Sequence, residues 1–206
     1  ATRLMLGEKL SDLNYKYQPP DSFSIKETVF PFLKFAGTDT ELGPEMKSTG
    51  EVMGISQSMG ESFKRASISA GNNIPSNGKV FISVNDSDKL SMIPIARDLH
   101  EMGFKIIATK GTVEELSQNG IAAKPVFKVG EGRPNVVDEI KNDQIDLVIN
   151  TPLGKQARYD EESIGKACIQ KGIVSITTLS GANAAVRAIR KSKDKIAVKS
   201  IQEYYK

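Results

Sequence analysis

The residues from Lys105 to Thr112 read K-I-I-A-T-K-G-T, a short apolar run followed at once by small polar residues. A helical pattern from Val113 to Gln118 comes directly after them. The first N–H groups of a helix have no partner within the helix, and they carry the positive end of the helix dipole. Two threonine hydroxyls and a lysine beside such groups are typical of an anion site, so the sequence predicts binding of a phosphorylated small molecule.

The chain offers few of the side chains that catalysis or metal binding requires. Its one cysteine, Cys168, falls in helical phase with Ile164 and Ala167, which predicts a buried apolar role rather than a nucleophile. Its one histidine, His100, lies in the polar phase of a helix with no catalytic motif beside it, so we expect it to face solvent. One cysteine and one histidine argue against a structural zinc site. We therefore predict no catalytic residue and no metal site in this chain.

Composition narrows the function classes further. The 206 residues carry a net charge of only +3, which is too small to indicate a nucleic-acid partner. No apolar run approaches the roughly 20 residues that a membrane span needs. A lone cysteine fits a reducing compartment, so we expect a cytoplasmic protein. The first residues contain neither an initiator methionine nor a signal peptide, which we interpret as the cut edge of a longer chain.

Two segments of different character follow one another. Residues 1–70 have few apolar residues for their length, and we interpret them as the tail of a larger domain. Their predicted elements are a short helical pattern at Leu4–Leu13, strands at Phe23–Phe32 and Glu51–Ser56, and a helix from Ser58, where Glu61 would complete a capping box. Residues 71–78 form a turn-rich linker, and residues 79–206 form the second segment.

Strands and helices alternate regularly in the second segment. Strands are predicted at Lys79–Val84, Lys105–Thr109, Lys124–Val129, Asp146–Thr151, Ile173–Leu179 and Ala197–Ser200. The helices between them are predicted from an N-cap at Ser91 to near Gly103, and at Val113–Asn119, Asn135–Asn142, Asp160–Lys171 and Asn183–Lys191. This alternation predicts an α/β fold, a doubly wound parallel sheet with helices on both faces.

Ligands bind such sheets beyond the C-terminal ends of the strands, and hydrogen-bond donors accumulate there in this sequence. The candidate phosphate-binding residues at this edge are Lys89, Thr109, Lys110, Gly111, Thr112, Lys128 and Arg133. Asn150, Thr151 and Pro152 follow the fourth strand, and Thr177 and Thr178 follow the core of the fifth. Because the edge is rich in donors and poor in general bases, the sequence favours binding over catalysis.

Seven stretches carry a resemblance to a known family. In the second segment they are S-V-N-D-S-D-K (83–89), A-T-K-G-T (108–112), K-V-G-E-G-R-P (128–134), I-N-T-P (149–152) and T-T-L-S-G (177–181). The first segment adds K-E-T-V-F-P-F (26–32) and the long L-G-P-E-M-K-S-T-G-E-V-M-G (42–54). In this order they resemble the C-terminal part of the carbamoyl phosphate synthase large chain. That part comprises the end of the second ATP-grasp half, here a small α+β segment, followed by a methylglyoxal synthase-like domain.

The resemblance implies a division of labour. In that family the ATP-grasp halves phosphorylate bicarbonate and then carbamate, using ATP, Mg and K and ammonia from a glutaminase subunit, for pyrimidine and arginine biosynthesis. The methylglyoxal synthase-like domain is allosteric and binds UMP or IMP, and in some members ornithine binds at its border. This segment alone would then be non-catalytic and hold no cofactor. The implied partners are the nucleotide, the rest of the large chain, the small subunit and a second copy of the chain.

The resemblance also implies roles for individual residues. The effector phosphate would be held by Lys89, Thr109, Thr112 and Lys128. Asn150 and the Thr151-Pro152 turn would line the ribose or base, although relatives often have a hydroxyl residue where this chain has Pro152. Lys110 stands where some relatives have a histidine. The ornithine border would include Thr177 and Thr178, and the carbamate passage would include Lys26 and Glu51.

Three alternative functions remain open. A methylglyoxal synthase needs a carboxylate base and a histidine, but its Asp-Pro-Leu and Gly-Gly-Asp signatures appear here as Thr151-Pro152-Leu153 and Glu131-Gly132-Arg133. An IMP cyclohydrolase shares a Gly-Arg pair, but its Lys-Thr-Leu-His continuation is replaced by Pro134-Asn135-Val136. The third alternative is a structural domain that serves oligomer contacts and binds no effector.

Overall fold

The computed structural model describes residues 2–16, 20–29, 50–152, 155–191, 196 and 198–204. The chain begins with helix α1 (Thr2–Met5) and a 3-10 turn at Leu10–Leu13. Gly7, with a φ of 97°, separates the two, because this left-handed backbone conformation cannot continue a helix. The predicted helical pattern at Leu4–Leu13 is therefore realised as two short pieces.

A hairpin and a helix form the rest of the first segment. Strand β1 (Phe23–Val29) pairs antiparallel with β2 (Gly50–Ser56), and helix α2 (Met59–Ser69) packs against both strands. The Ser58 hydroxyl accepts from the Glu61 N–H, as predicted. However, the Glu61 carboxylate accepts from the Ser56 hydroxyl and pairs with Arg65, so only half of the predicted capping box forms. Residues 30–32 of the first predicted strand and most of the 42–54 motif lie outside the described residues.

A parallel sheet of five strands forms the second segment. Its strands are β3 (Lys79–Val84), β4 (Lys105–Ala108), β5 (Ala123–Pro125), β6 (Leu147–Thr151) and β7 (Val174–Ile176). The spatial order is β5-β4-β3-β6-β7, and every neighbouring pair is parallel. The chain therefore winds outward from β3 to one edge and then from β6 to the other. This confirms the predicted doubly wound parallel sheet and places its switch point between β3 and β6.

Helices cover both faces of this sheet. They are α3 (Lys89–Glu101), α4 (Lys110–Gln118), α5 (Val136–Lys141), α6 (Lys155–Lys171) and α7 (Leu179–Arg190). One buried cluster joins β3, β4 and β6 to α3, α4 and α7, and it includes Ile82, Leu99 and Val186. A second cluster on the opposite face joins the same strands to α5 and α6, and it includes Phe81 and Ile140. Successive residues of β3 therefore pack on opposite faces of the sheet, Phe81 against α5 and α6 and Ile82 against α3, α4 and α7.

Four helices begin earlier than predicted: α3, α4, α6 and α7. Helix α6 begins at Lys155 rather than Asp160, so the start predicted for it is wrong. The N-cap predicted at Ser91 is wrong, because Asn85 caps a 3-10 turn at Asp86–Asp88 that runs directly into α3 at Lys89. Pro94 therefore lies inside α3, where the carbonyl that it leaves unpaired belongs to the exposed Leu90. Helix α7 begins at Leu179 rather than Asn183, because the Thr178 hydroxyl accepts from the Gly181 N–H and caps the helix there.

Strand lengths were the least accurate predictions. The third predicted strand, Lys124–Val129, is only Ala123–Pro125, because its neighbour β4 ends at Ala108, the residue that pairs with Pro125. The fifth is cut to Val174–Ile176 by the start of α7. The strand predicted at Ala197–Ser200 is wrong for its described residues, which lie outside any strand and precede helix α8 (Ile201–Tyr204). Glycines 103, 120 and 172 follow helices with positive φ, the backbone conformation in which glycine commonly ends a helix.

Helix α2 joins the hairpin to the sheet through close backbone contacts. A Cβ atom built on Gly60 would lie 2.5 Å from the carbonyl oxygen of Arg187 in α7. On the other side of α2, a Cβ built on Gly54 in β2 would lie 2.1 Å from the carbonyl oxygen of Ser62. Both distances are too short for a real side chain, so glycine is required at both contacts.

Replacing Gly60 with alanine should destabilise the chain by about 1–3 kcal/mol, because the added methyl group would push α2 away from α7. Helix propensity alone predicts the opposite sign, since alanine is a better helix former than glycine. Urea unfolding of the wild type and Gly60→Ala measures the difference. Ser69→Ala, at the exposed last residue of the same helix, is the control and should leave stability within about 0.5 kcal/mol. A Gly60→Ala variant more stable than the wild type would contradict the contact.

Candidate functional site

A cavity of about 680 Å³ opens at the C-terminal edge of the sheet, at the switch point between β3 and β6. Its floor is formed by Phe81, Ser83 and Asn150 of these two strands. Val136 of α5 and Ile164 of α6 contribute apolar walls. We call this space the switch cavity. It exists because α3 and α4 lie on one face of the sheet and α5 and α6 on the other, so the helices diverge at this point.

Asn150 is the most telling residue of the floor. It lies opposite Ser83 in the parallel ladder, and both side chains point to the α5–α6 face because they are in phase with Phe81 and Val148. Asn150 is only 7% exposed, and its side-chain amide has no hydrogen-bond partner within the described part of the chain. A buried amide usually has such a partner, so this group is suited to hydrogen-bond a ligand.

The first turn of α4 supplies open donors beside the switch cavity. The carbonyl of Thr109 accepts from the Thr112 and Val113 amides, whereas the amides of Lys110 and Gly111 have no acceptor among the described residues. The Thr109 side chain does not cap the helix and instead lies 3.3 Å from the Thr112 hydroxyl. The predicted polar loop is therefore the first turn of a helix that begins at Lys110 rather than Val113.

Two lysines bring positive charge to this edge. Lys128, exposed in the segment after β5, lines the switch cavity beside Glu131, whose carboxylate accepts from the Lys128 N–H at 3.2 Å. The Lys89 ammonium group lies over the first turn of α4, where a Cβ built on Gly111 would be only 3.3 Å away. A glycine at position 111 thus allows the ammonium group to approach the open amides.

Asp86 connects both lysines electrostatically. The Lys89 ammonium group donates to the Asp86 carboxylate at 2.8 Å, and Asp86 itself lines the switch cavity. This hydrogen bond is the main cause that lowers the pKa of Asp86, and the charge of Lys128 lowers it further. The same hydrogen bond raises the pKa of Lys89.

Asn85 fastens the two central strands together at the cavity. Its backbone N–H donates to the Thr151 carbonyl, and its side-chain amide reaches the Thr151 hydroxyl at 3.3 Å and the Asp88 carboxylate at 2.7 Å. Because Thr151 and Pro152 line the cavity, this clamp fixes the shape of its β6 side.

Asp160 is a carboxylate in the cavity wall that sequence reasoning did not select. Its Oδ1 atom is buried and has no hydrogen-bond partner in the described part of the structure. Burial raises its pKa, with a smaller opposing effect from Lys128 and a further increase from Glu131. The signal in the sequence was its spacing: Asp160 lies four residues before the buried Ile164, which places both on the same face of α6.

Other predicted site residues lie apart from the cavity lining. Thr112 is buried behind Thr109, and Lys110 points to solvent. The exposed Arg133 guanidinium lies 3.6 Å from the Asp138 carboxylate. Thr177 and Thr178 are exposed just before α7, and neither residue lines the cavity. Lys26 and Glu51 form an exposed ion pair at 2.5 Å across the β1–β2 hairpin.

The cysteine and the histidine of the chain have the exposures that the sequence predicts. Cys168 is 1% exposed, and burial raises the pKa of its thiol to about 12, so the predicted inert role is confirmed. His100 is exposed, also as predicted. The described residues contain no group of three or more potential metal ligands and no helix long and apolar enough to span a bilayer.

Comparisons with known proteins identify relatives of the whole chain. A family model described as an MGS-like domain matches residues 91–177. The carbamoyl phosphate synthase large chain of Archaeoglobus fulgidus is 50% identical over 208 residues, and that of Rhodopirellula baltica is 46% identical over 207. Each match covers 100% of this chain, and the chain spans 19% of the length of each relative. The crystal structure of methylglyoxal synthase from Elizabethkingia anophelis matches 55% of this chain and 79% of that one, with a TM-score of 0.46 and 16% identity.

Replacing Asp160 with asparagine should stabilise the chain at neutral pH. A carboxyl group whose pKa is raised by folding stabilises the folded state fully only below its unfolded pKa, and this contribution is lost as pH rises through the folded pKa. Ionised Asp160 therefore costs stability at pH 7, and Asp160→Asn should raise Tm by about 2–4 °C. The gain should vanish near pH 3, where the wild-type carboxyl is largely protonated.

Thermal unfolding of both proteins between these pH values measures this dependence. Glu101→Gln, which removes an exposed carboxylate, is the control and should show no such trend. A gain that stayed constant with pH would contradict the assigned environment of Asp160.

Proposed function

Because the chain carries an MGS-like domain and matches the C-terminal region of carbamoyl phosphate synthase large chains along its whole length, we propose that its switch cavity binds a nucleoside monophosphate effector such as UMP or IMP. The observation that carries the proposal is Asn150, an amide that is 7% exposed, unpartnered among the described residues and open to the cavity. The cavity volume of about 680 Å³ lies within the usual range for small-molecule sites.

The charges of the cavity support a phosphate at its β4 side. The open amides of Lys110 and Gly111 and the ammonium group of Lys89 supply donors and positive charge at one place. Lys128 adds a second cation from the opposite rim. A dianionic phosphate bound here would replace water with charge-assisted hydrogen bonds, which are the strong class of such bonds.

The remaining polar groups suit the sugar of the same ligand. Asn150 offers an amide donor and acceptor from the floor, and Asp160 offers an acceptor from the α6 wall. A ribose hydroxyl that donates to Asp160 would satisfy the oxygen that the described structure leaves without a partner. Phe81, Val129 and Ile164 supply the apolar surface that a base requires.

The role of such an effector would be regulatory. A ligand that binds one conformation of the domain better than another shifts the parent enzyme between states, by a coupling typically on the order of 1–3 kcal/mol. The parent would be a cytoplasmic, glutamine-dependent ligase that uses ATP, Mg and K and serves pyrimidine and arginine biosynthesis. Its other partners would be the remainder of the large chain, the glutaminase subunit and a second copy. Ornithine would bind near Thr177 and Thr178, and Lys26 and Glu51 would line the carbamate passage.

Removing the cations and hydroxyls of the cavity should weaken effector binding. Lys128→Ala should raise the Kd for UMP or IMP by about tenfold to a hundredfold, the usual cost of a lost hydrogen bond to a charged group. Thr109→Val should weaken binding by a smaller factor while preserving side-chain volume. Isothermal titration measures both. The matched control is Lys105→Ala, which removes a lysine from the opposite end of β4.

The result that would overturn the proposed function is a wild-type chain that shows no heat of binding and no thermal shift with UMP, IMP or ornithine at millimolar concentration. That outcome would favour a structural domain.

The isolated chain should not catalyse the reactions of its relatives. We expect no carbamoyl phosphate from ATP, bicarbonate and glutamine, since the resemblance leaves the ATP-site residues outside this sequence. We also expect no methylglyoxal from dihydroxyacetone phosphate, because the sequence has Thr151 and Arg133 where that enzyme's signatures have carboxylates. Coupled assays of the purified chain measure both rates, and turnover in either would contradict the proposed regulatory role.

A further inference from the structure

Asp86 forms an ion pair with Lys89, the cation that the proposed phosphate would need. Its carboxylate oxygen accepts from the Lys89 ammonium group at 2.8 Å, while that ammonium group lies over the open first turn of α4. The Asp86 side chain is 95% exposed, whereas the Lys89 side chain is only 23% exposed. The anion of the pair is therefore free to turn away into solvent, and the cation is held in place by its surroundings.

The fold does not depend on Asp86. The 3-10 turn that contains it is capped by the Asn85 side chain, which accepts from the Asp88 N–H. The bonds that fix this turn to β6 come from Asn85 as well. The one hydrogen bond of the Asp86 side chain within the described structure is the one from Lys89. A residue with this single contact has no evident structural duty.

We propose that Asp86 is an internal competitor of the effector, a carboxylate that takes the place of a phosphate oxygen on Lys89 while the switch cavity is empty. The proposal rests on the proposed function, because it assumes that a phosphate binds at this edge. An incoming phosphate displaces Asp86 from Lys89, and the displaced carboxylate is readily hydrated because it is already exposed. Asp86 also faces Lys128 across the cavity, so its charge opposes the ligand at both cations.

The competition has a definite consequence for selectivity. A ligand must offer Lys89 more than a single carboxylate does in order to displace Asp86. A phosphate dianion meets this requirement through its higher charge and its additional oxygens, which also reach the open amides of α4. Singly charged anions do not meet this requirement. Asp86 therefore lowers the affinity of the cavity for them more than for dianions.

Removing the charge of Asp86 should therefore strengthen anion binding. Asp86→Asn and Asp86→Ala should each lower the Kd for UMP or IMP by about threefold to tenfold, since an exposed ion pair is worth up to about 1 kcal/mol and repulsion of the ligand is also relieved. The gain should shrink with added salt, because Asp86 is exposed and its field is screened. A gain of affinity on substitution is not what loss of a structural contact produces.

Titration of the full chain with UMP, IMP and inorganic phosphate at low and high salt tests the proposal. Glu101→Gln is the matched control: it removes one carboxylate from the other end of α3, about 18 Å from Lys89 along the helix axis, and should leave the Kd unchanged. Unfolding of Asp86→Asn should show at most the small loss of stability that an exposed ion pair contributes. In a Lys89→Ala background the gain should fall, because the cation for which Asp86 competes is gone.

The outcomes separate this proposal from the proposed function. If the wild type binds UMP or IMP but Asp86→Asn and Asp86→Ala bind no more tightly, the role of Asp86 is overturned and the proposed function stands. If Glu101→Gln gives the same gain, the effect is one of net charge, and the competition is overturned. If no variant binds any of these anions, both proposals fail together.

Discussion

The parallel pairing of β3 with β6 is the constraint on which the site depends. These strands are far apart in the chain but adjacent in the sheet, so the connections on either side of them run in opposite directions. Helices α3 and α4 are carried to one face and α5 and α6 to the other, and the switch cavity lies between them at the C-terminal edge. The register then sets Ser83 beside Asn150. A polar floor beneath an uncovered gap follows from this pairing and would be lost with a one-residue slip, because the two side chains would then turn to the opposite face.

Elements with strong local patterns could be predicted from the sequence. Strands β3 and β6 are apolar runs bounded by polar residues, and the Met92, Ile95 and Leu99 stripe of α3 is buried as its spacing indicates. The predicted boundaries failed where tertiary contacts decided them. Helix α4 begins at Lys110 even though Lys-Gly-Thr is a weak helix former, because it continues from the carbonyl of Thr109 at the end of a central strand. Strand β5 pairs only with β4 among the described strands, so it ends where β4 ends. The apolar residues of β5 do not indicate that point.

The residues of the site likewise fall into those that the sequence could identify and those that it could not. Residues that follow strands directly, such as Thr109, Lys128 and Asn150, could be selected because parallel strands bring their C-terminal ends together. Asp160 could not be selected by this rule, since it reaches the cavity from the side of a helix. Its spacing from the buried Ile164 places Asp160 on the inner face of α6, but only the packing of α6 over β6 brings that face to the cavity. The partner of Lys89 was equally hidden: Asp86 and Lys89 are close in sequence, but a ligand-like contact between them requires the helical turn that Asn85 stabilises.

The glycine contacts of α2 have a mechanical consequence. Between most packed elements lies a layer of side chains, and small displacements are absorbed there by rotamer changes. At Gly54 and Gly60 that layer is missing, and α2 touches β2 and α7 backbone to backbone. Between α7 and the hairpin there are then no side chains at these two contacts that could absorb a shift of a few tenths of an ångström by changing rotamer. Whatever moves the last helix of the sheet therefore moves the β1–β2 ribbon with it, as one stiff linkage.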